Sequence, residues 1–231
     1  MRRALRLPLV FGLPLFWLGF PSDQSRQSGG AGQGAPVPAP GDSATARLAR
    51  ADLGRIRGSE RATVWVVVMS DFECPFCRTW HQETEPLLTR DYVATGKVRL
   101  AYLNYIAVPS HRNAPAAHEA AMCAAEQNRF WPMAASLFDS QREWKGRRDP
   151  RSFFDSIAGR HQVDLPRFRA CVRDGTLRPL IAADQDRVVR LGMAATPAFL
   201  IGGRRIIGAQ PYEVFQRALD DALARAPATP R

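Results

Sequence analysis

Apolar positions along the chain change their period in a readable order. Thr63-Val64-Trp65-Val66-Val67-Val68-Met69 is a short β-branched apolar run and reads as a buried strand. Arg78 to Glu85 holds good helix formers with no breaker until Pro86, so a helix follows that strand. Lys97 to Asn104 alternates and reads as a second strand. Helical spacing then continues over 114–128, 130–141, 150–160, 165–175 and 176–191, with Asp164 as a cap and Gly175 as a stop. Ala198 to Ile201 and Arg204 to Ile207 are two strands joined by Gly202-Gly203, and 212–223 is a closing helix. The order is β-α-β, a helical block, then β-β-α. It predicts an α/β domain over 51–224 whose small sheet is interrupted by a helical insertion at about 110–192.

The two ends follow different patterns. Met1-Arg2-Arg3 and Arg6 precede an uncharged apolar stretch from Leu7 to Phe20. That stretch is shorter than the roughly 20 residues a spanning helix needs, and Pro8 and Pro14 interrupt it. Residues 1–20 therefore read as an export signal, or as an anchor if uncleaved, which places the remainder in the periplasm or cell envelope. Residues 21–50 are rich in Ser, Gly, Gln, Pro and Ala and read as a disordered linker; 225–231 read as a disordered tail.

A chain of 231 residues with 45% apolar content and five tryptophans can bury a core without cross-links. Its net charge of +10 raises the question of nucleic acid. Of 32 basic residues only Lys97 and Lys145 are lysine, and the arginines are interleaved with acids throughout. No basic stripe with aromatic spacing is present, so a nucleic-acid partner is not expected.

Chemistry concentrates at Cys74-Pro75-Phe76-Cys77, set at the strand-to-helix turn. There the first sulfur meets unpaired N–H groups and the positive end of a helix dipole, which stabilise a thiolate. Cys74 is the expected nucleophile, in the more exposed position, and Cys77, one turn further in, the resolving thiol. Pro75 suits the first helical turn. Phe76 makes the intervening pair apolar. A structural disulfide or half a metal site is the plainer alternative, but no second Cys-x-x-Cys or histidine pair supplies four ligands, so neither a metal nor an organic cofactor is expected. Thr196-Pro197 meets the last strand pair at Ala198; read locally it only marks a strand boundary.

Asp71-Phe72-Glu73-Cys74-Pro75-Phe76-Cys77-Arg78 resembles the active-site segment of the DsbA-like branch of the thioredoxin superfamily. Cys123 to Trp131, Leu137-Phe138, Ala195 to Gly203 and Gly208 match in the same order, over roughly residues 58 to 224. The resemblance implies a thioredoxin fold, a central mixed sheet flanked by helices, with an inserted helical domain. It also implies a cis bond before Pro197 and a Thr196 backbone lying beside Cys74 that receives the substrate chain, with Pro75 and Phe76 on the same surface. One position departs from the pattern: where relatives carry an acid six residues before the first cysteine, this chain has Val68. Asp71 and Glu73 are candidates to take over proton transfer; the simpler reading makes them solvated turn acids.

Cys123 and Cys171 lie on apolar faces of separate helices of the insertion. They are expected to form a structural disulfide in an oxidising compartment, against the alternative of two buried inert thiols. His81 could face the active site, but His81, His111, His118 and His161 all read more simply as surface histidines. The expected activity is oxidation of thiols in cysteine-containing exported proteins, by a monomer that a membrane redox partner recycles. The alternatives are a reductase or isomerase for a dedicated envelope client, or a non-enzymatic metal-binding module.

Overall fold

The computed structural model describes residues 43–227. The export segment, residues 21–42 of the linker and the last four residues lie outside them. A helix α1 (Ala44–Gly54) leads into a two-residue strand β1 (Ile56–Arg57), and then β2 (Val64–Ser70) and α2 (Pro75–Glu83) follow. A short helix α3 (Glu85–Leu88) and a π-helical turn over Thr89–Val93 lead to β3 (Val98–Asn104). The helical block comprises α4 (Ala114–Ala125), α5 (Phe130–Asp139), α6 (Gln141–Trp144), α7 (Arg151–Arg160), α8 (Leu165–Asp174) and α9 (Arg178–Arg190). The chain closes with β4 (Ala198–Ile201), β5 (Arg204–Ile207) and α10 (Tyr212–Arg225).

The five strands lie in the order β1-β3-β2-β4-β5; β2 and β3 run parallel and the other pairs antiparallel. Val64, Val66 and Val68 face the core opposite Val98, Leu100 and Tyr102 of β3, so the β-branched run fills the buried side of the central strand. Trp80, Phe199 and Phe215 pack as an aromatic cluster, with ring centroids 4.7 to 6.2 Å apart, tying α2 and α10 to β4. This is the mixed sheet flanked by helices that the resemblance implied, with its helices inserted between β3 and β4 as the order of elements along the chain predicted.

Helix α1 corrects the linker boundary. Residues 44–50 belong to a helix, because the Ser43 hydroxyl accepts the Ala46 N–H as an N-cap and Ala51 and Leu48 pack on the core. Ala, Leu and Arg here favour a helix, but the Pro/Gly-rich run before them masked that signal. Strand β1 was not expected either; two residues are too few to show a period.

Cys123 on α4 and Cys171 on α8 form a disulfide, with Cα atoms 5.8 Å apart and 48 residues of sequence separation. The bridge joins two helices of the insertion, α4 and α8. By restricting the unfolded chain, a loop of this size contributes roughly 4 kcal/mol. Replacing both cysteines by alanine is therefore expected to lower the unfolding free energy in urea by about that amount while thiol exchange at the first cysteine pair is retained. An unchanged urea midpoint would contradict a structural role.

Candidate active site

The carboxyl end of β2 delivers the chain into Asp71-Phe72-Glu73-Cys74, and Cys74 becomes the N-cap of α2 with Pro75 in the first turn. Three contacts hold this loop. The Cys74 N–H donates to the Asp71 carbonyl at 3.2 Å. The Gln141 amide donates to the carbonyls of Phe72 at 2.7 Å and Cys74 at 2.9 Å. The Glu73 carboxylate accepts the N–H groups of Asn113 and Ala114 at 2.8 and 3.0 Å, placing an anion at the amino end of α4. The active-site loop is thus stitched to the insertion by backbone-directed bonds.

The two sulfurs are unequal. Cys77 is fully buried, whereas Cys74 is 5% exposed and Phe76 beside it is 64% exposed. Both cysteines are free thiols in this structure. A hydrogen bond from Cys77 does most to hold the Cys74 pKa down, to about 5; Thr196 and the N–H groups of Cys77 and Phe76 add to it, against burial. Burial pushes the Cys77 thiol up, and the neighbouring Cys74 thiolate pushes it further. The Cys77 sulfur also accepts the Asp71 backbone N–H at 3.4 Å.

Thr196-Pro197 is a cis peptide, and the Thr196 carbonyl lies 3.5 Å from the Cys74 sulfur. Gly208 donates to the Pro197 carbonyl at 2.7 Å, fixing this segment against the turn after β5. Cys74 and Thr196 therefore meet across 122 residues of sequence separation.

Val68 sits in the buried centre of the sheet, paired with Tyr102 and Phe199. The two turn acids are not solvated. Asp71 has no exposed surface, and Glu73 is buried against α4. The Asp71 carboxyl accepts the Glu73 N–H at 2.8 Å and lies 2.7 Å from Nδ1 of His111 and 4.0 Å from Nε2 of His118. Burial raises its pKa to about 6, opposed by the His111 hydrogen bond.

The histidines also differ from a surface set. His118 is fully enclosed, beside the Phe72 ring. His111 is mostly covered and touches Asp71. His81, on α2, packs against Phe138 and lies 3.3 Å from Glu85 at the start of α3, and burial lowers its pKa to about 4. So it is His111 and His118 that join the site. A signal for His118 was present: it lies in Ala114–Ala125, a helix apolar on nearly every face. No such local signal marks His111, Asn113 or Gln141. Among the described residues no group of three His, Cys, Asp or Glu side chains could hold a metal ion.

A family model described as thioredoxin matches residues 51–221. The chain is 34% identical over 175 residues to a Na(+)/H(+) antiporter NhaA of Salinispora tropica; the match covers 76% of this chain and 26% of that protein. It thus spans about a quarter of that relative's length. It is 24% identical to the probable disulfide bond formation protein D of Bacillus anthracis, over 73% of this chain and 77% of the relative. Among solved structures, oxidised BdbD of Bacillus subtilis superposes with a TM-score of 0.67 at 19% identity, covering 74% of this chain and 94% of that one.

The asymmetry of the sulfurs has a direct readout. In the reduced protein, iodoacetamide is expected to label Cys74 alone, with the rate falling as pH drops through about 5. In Cys77→Ala the midpoint moves up, because the strongest hydrogen bond to the thiolate is gone. Simultaneous labelling of both thiols near the ordinary thiol value would contradict this geometry.

Proposed function

The chain belongs to the thioredoxin family, and we propose that it is a DsbA-like protein thiol–disulfide oxidoreductase that works outside the cytoplasm in the oxidising direction. The observation that carries this reading is the inequality between a stabilised Cys74 thiolate and a buried Cys77 thiol. A thiol pKa held below its unfolded value stabilises the folded reduced protein at neutral pH, and that contribution is lost as pH falls through about 5. Stabilising the reduced form makes the disulfide a strong oxidant. The basic, apolar leader over Met1–Phe20 supports export.

A client thiolate attacks the Cys74 sulfur of the enzyme disulfide. A client–Cys74 bond forms, the Cys74–Cys77 bond breaks, and Cys77 leaves with the electron pair. Asp71, in its protonated form, supplies the proton that Cys77 takes up, and His111 returns a proton to Asp71 from solvent. A second client thiolate then attacks the client sulfur of the mixed disulfide and expels Cys74 as its stable thiolate. The client has lost two electrons and the enzyme has gained them; a quinone-linked membrane protein is the class of acceptor that would remove them. Extended client backbone runs along Thr196 and Pro197, and the exposed Phe76 with Pro75 offers apolar contact. Glu73 serves the fold, anchoring the loop to α4, rather than proton transfer.

Replacing Cys77 by Ala removes the resolving thiol, so mixed disulfides on Cys74 should accumulate in cells and can be identified directly. Many exported cysteine-containing proteins together with a membrane redox protein are expected. A single dedicated reduced partner would instead establish a reductase, and no trapped protein would remove the enzyme reading.

A further inference from the structure

His118 has no part in the exchange steps, yet a chain of polar groups fixes its ring from behind. Arg55, at the end of α1, is paired with Asp52 and, through both terminal nitrogens, with the fully buried Asp184 of α9. Asp184 as a carboxylate can only accept. It takes the Asn104 backbone N–H at 3.1 Å and the Asn104 side-chain Nδ2 at 2.7 Å. The Asn104 amide must therefore turn its Oδ1 toward His118, 2.8 Å from Nδ1. An amide oxygen only accepts, so Nδ1 carries the proton. Burial lowers the His118 pKa to about 3, so the ring holds a single proton near neutral pH. Nε2 is then a bare lone pair, buried, without a hydrogen-bond partner and 4.0 Å from the Asp71 carboxyl.

We propose that the chain Arg55–Asp184–Asn104 makes His118 a positioning residue, whose bare Nε2 favours the protonated form of Asp71 and so keeps a proton beside Cys77. This rests on the reading of Asp71 as the proton donor to Cys77. A lone pair facing a carboxylate repels it and facing a carboxylic acid does not, so the ring biases Asp71 without touching a sulfur. The other groups that face the Asp71 carboxyl are Cys74 at the start of α2, Tyr102 from β3 and His111 from the loop before α4, while Cys77 meets Asp71 through the Asp71 backbone N–H. Glu73 contributes its N–H, while its carboxylate is turned to the amino end of α4. The Cys74 thiolate raises Asp71 and His111 lowers it. Asp71 therefore stands between two histidines with opposite demands, one on an enclosed helix face and one at the edge of solvent.

Nitrogen-15 spectra of histidine-labelled, reduced full-length protein read the tautomer directly, with no client present. The expected result is a protonated Nδ1 and an unprotonated Nε2 on His118 across neutral pH. The opposite tautomer, or a doubly protonated ring, would overturn the proposal while leaving the exchange chemistry standing; failure to oxidise a peptide dithiol would remove the enzyme reading whatever the tautomer. Asn104→Leu takes away the acceptor on Nδ1 and lets the ring donate from Nε2 to the Asp71 carboxylate. The proton affinity of Asp71 is then expected to fall about tenfold, one unit toward acid in the pH–rate profile of mixed-disulfide formation. A variant that melts earlier with an unmoved midpoint would show Asn104 to be merely structural and would also overturn the proposal. Should Asn104→Leu fail to fold, the wild-type nitrogen spectrum still decides.

Discussion

One negative charge, carried by the Cys74 sulfur at the amino end of α2, sets the requirements for everything around it. An anion with only 5% exposure needs donors, and it receives them from the Cys77 thiol and the first N–H groups of the helix. Those donors are useful only if the turn before the helix does not move. Gln141 therefore grips two of its carbonyls, and Glu73 pins it to α4. The same charge makes it harder for Cys77 and Asp71 to ionise. The helical insertion is thus part of the site's construction, because it supplies Gln141, Asn113 and both histidines near Asp71.

Val68 stands where the resemblance led to a strand acid, and the proposed mechanism keeps the proton elsewhere. A valine in the middle of β2 completes the apolar packing between Tyr102 and Phe199. The buried carboxyl appears instead in the loop, at Asp71, close enough to Cys77 for its backbone N–H to reach that sulfur. Placing an acid there has a cost in desolvation, and the site offsets it with the Glu73 N–H and His111.

Most of the fold was legible because its signals are periodic and local. Strands β2 to β5, the closing helix and five of the six described helices of the insertion follow from alternation, apolar stripes, the Asp164 cap and the Gly175 stop, while the four-residue α6 is too short to show a stripe. Helix α1 was hidden by the composition of the residues before it, and β1 by its length. At the site, Cys74 and Cys77 carried their own signal, and Thr196-Pro197 carried one through resemblance. The burial of Asp71 and Glu73 was not readable, since a turn acid looks alike whether water or a helix terminus faces it. The links among Asn104, His118 and Asp184 join residues up to 80 positions apart, and no local pattern marks such pairs.

Everything above makes the reduced pair the stabilised one, and the reduction potential of the Cys74–Cys77 couple measures that balance. Equilibration with glutathione at neutral pH should give a value toward the DsbA end of the scale, about −120 mV and well above the reducing thioredoxin value of about −270 mV. A couple at or below the thioredoxin value would contradict an oxidising role and would mean that the Cys74 thiolate does not dominate the energetics of the site.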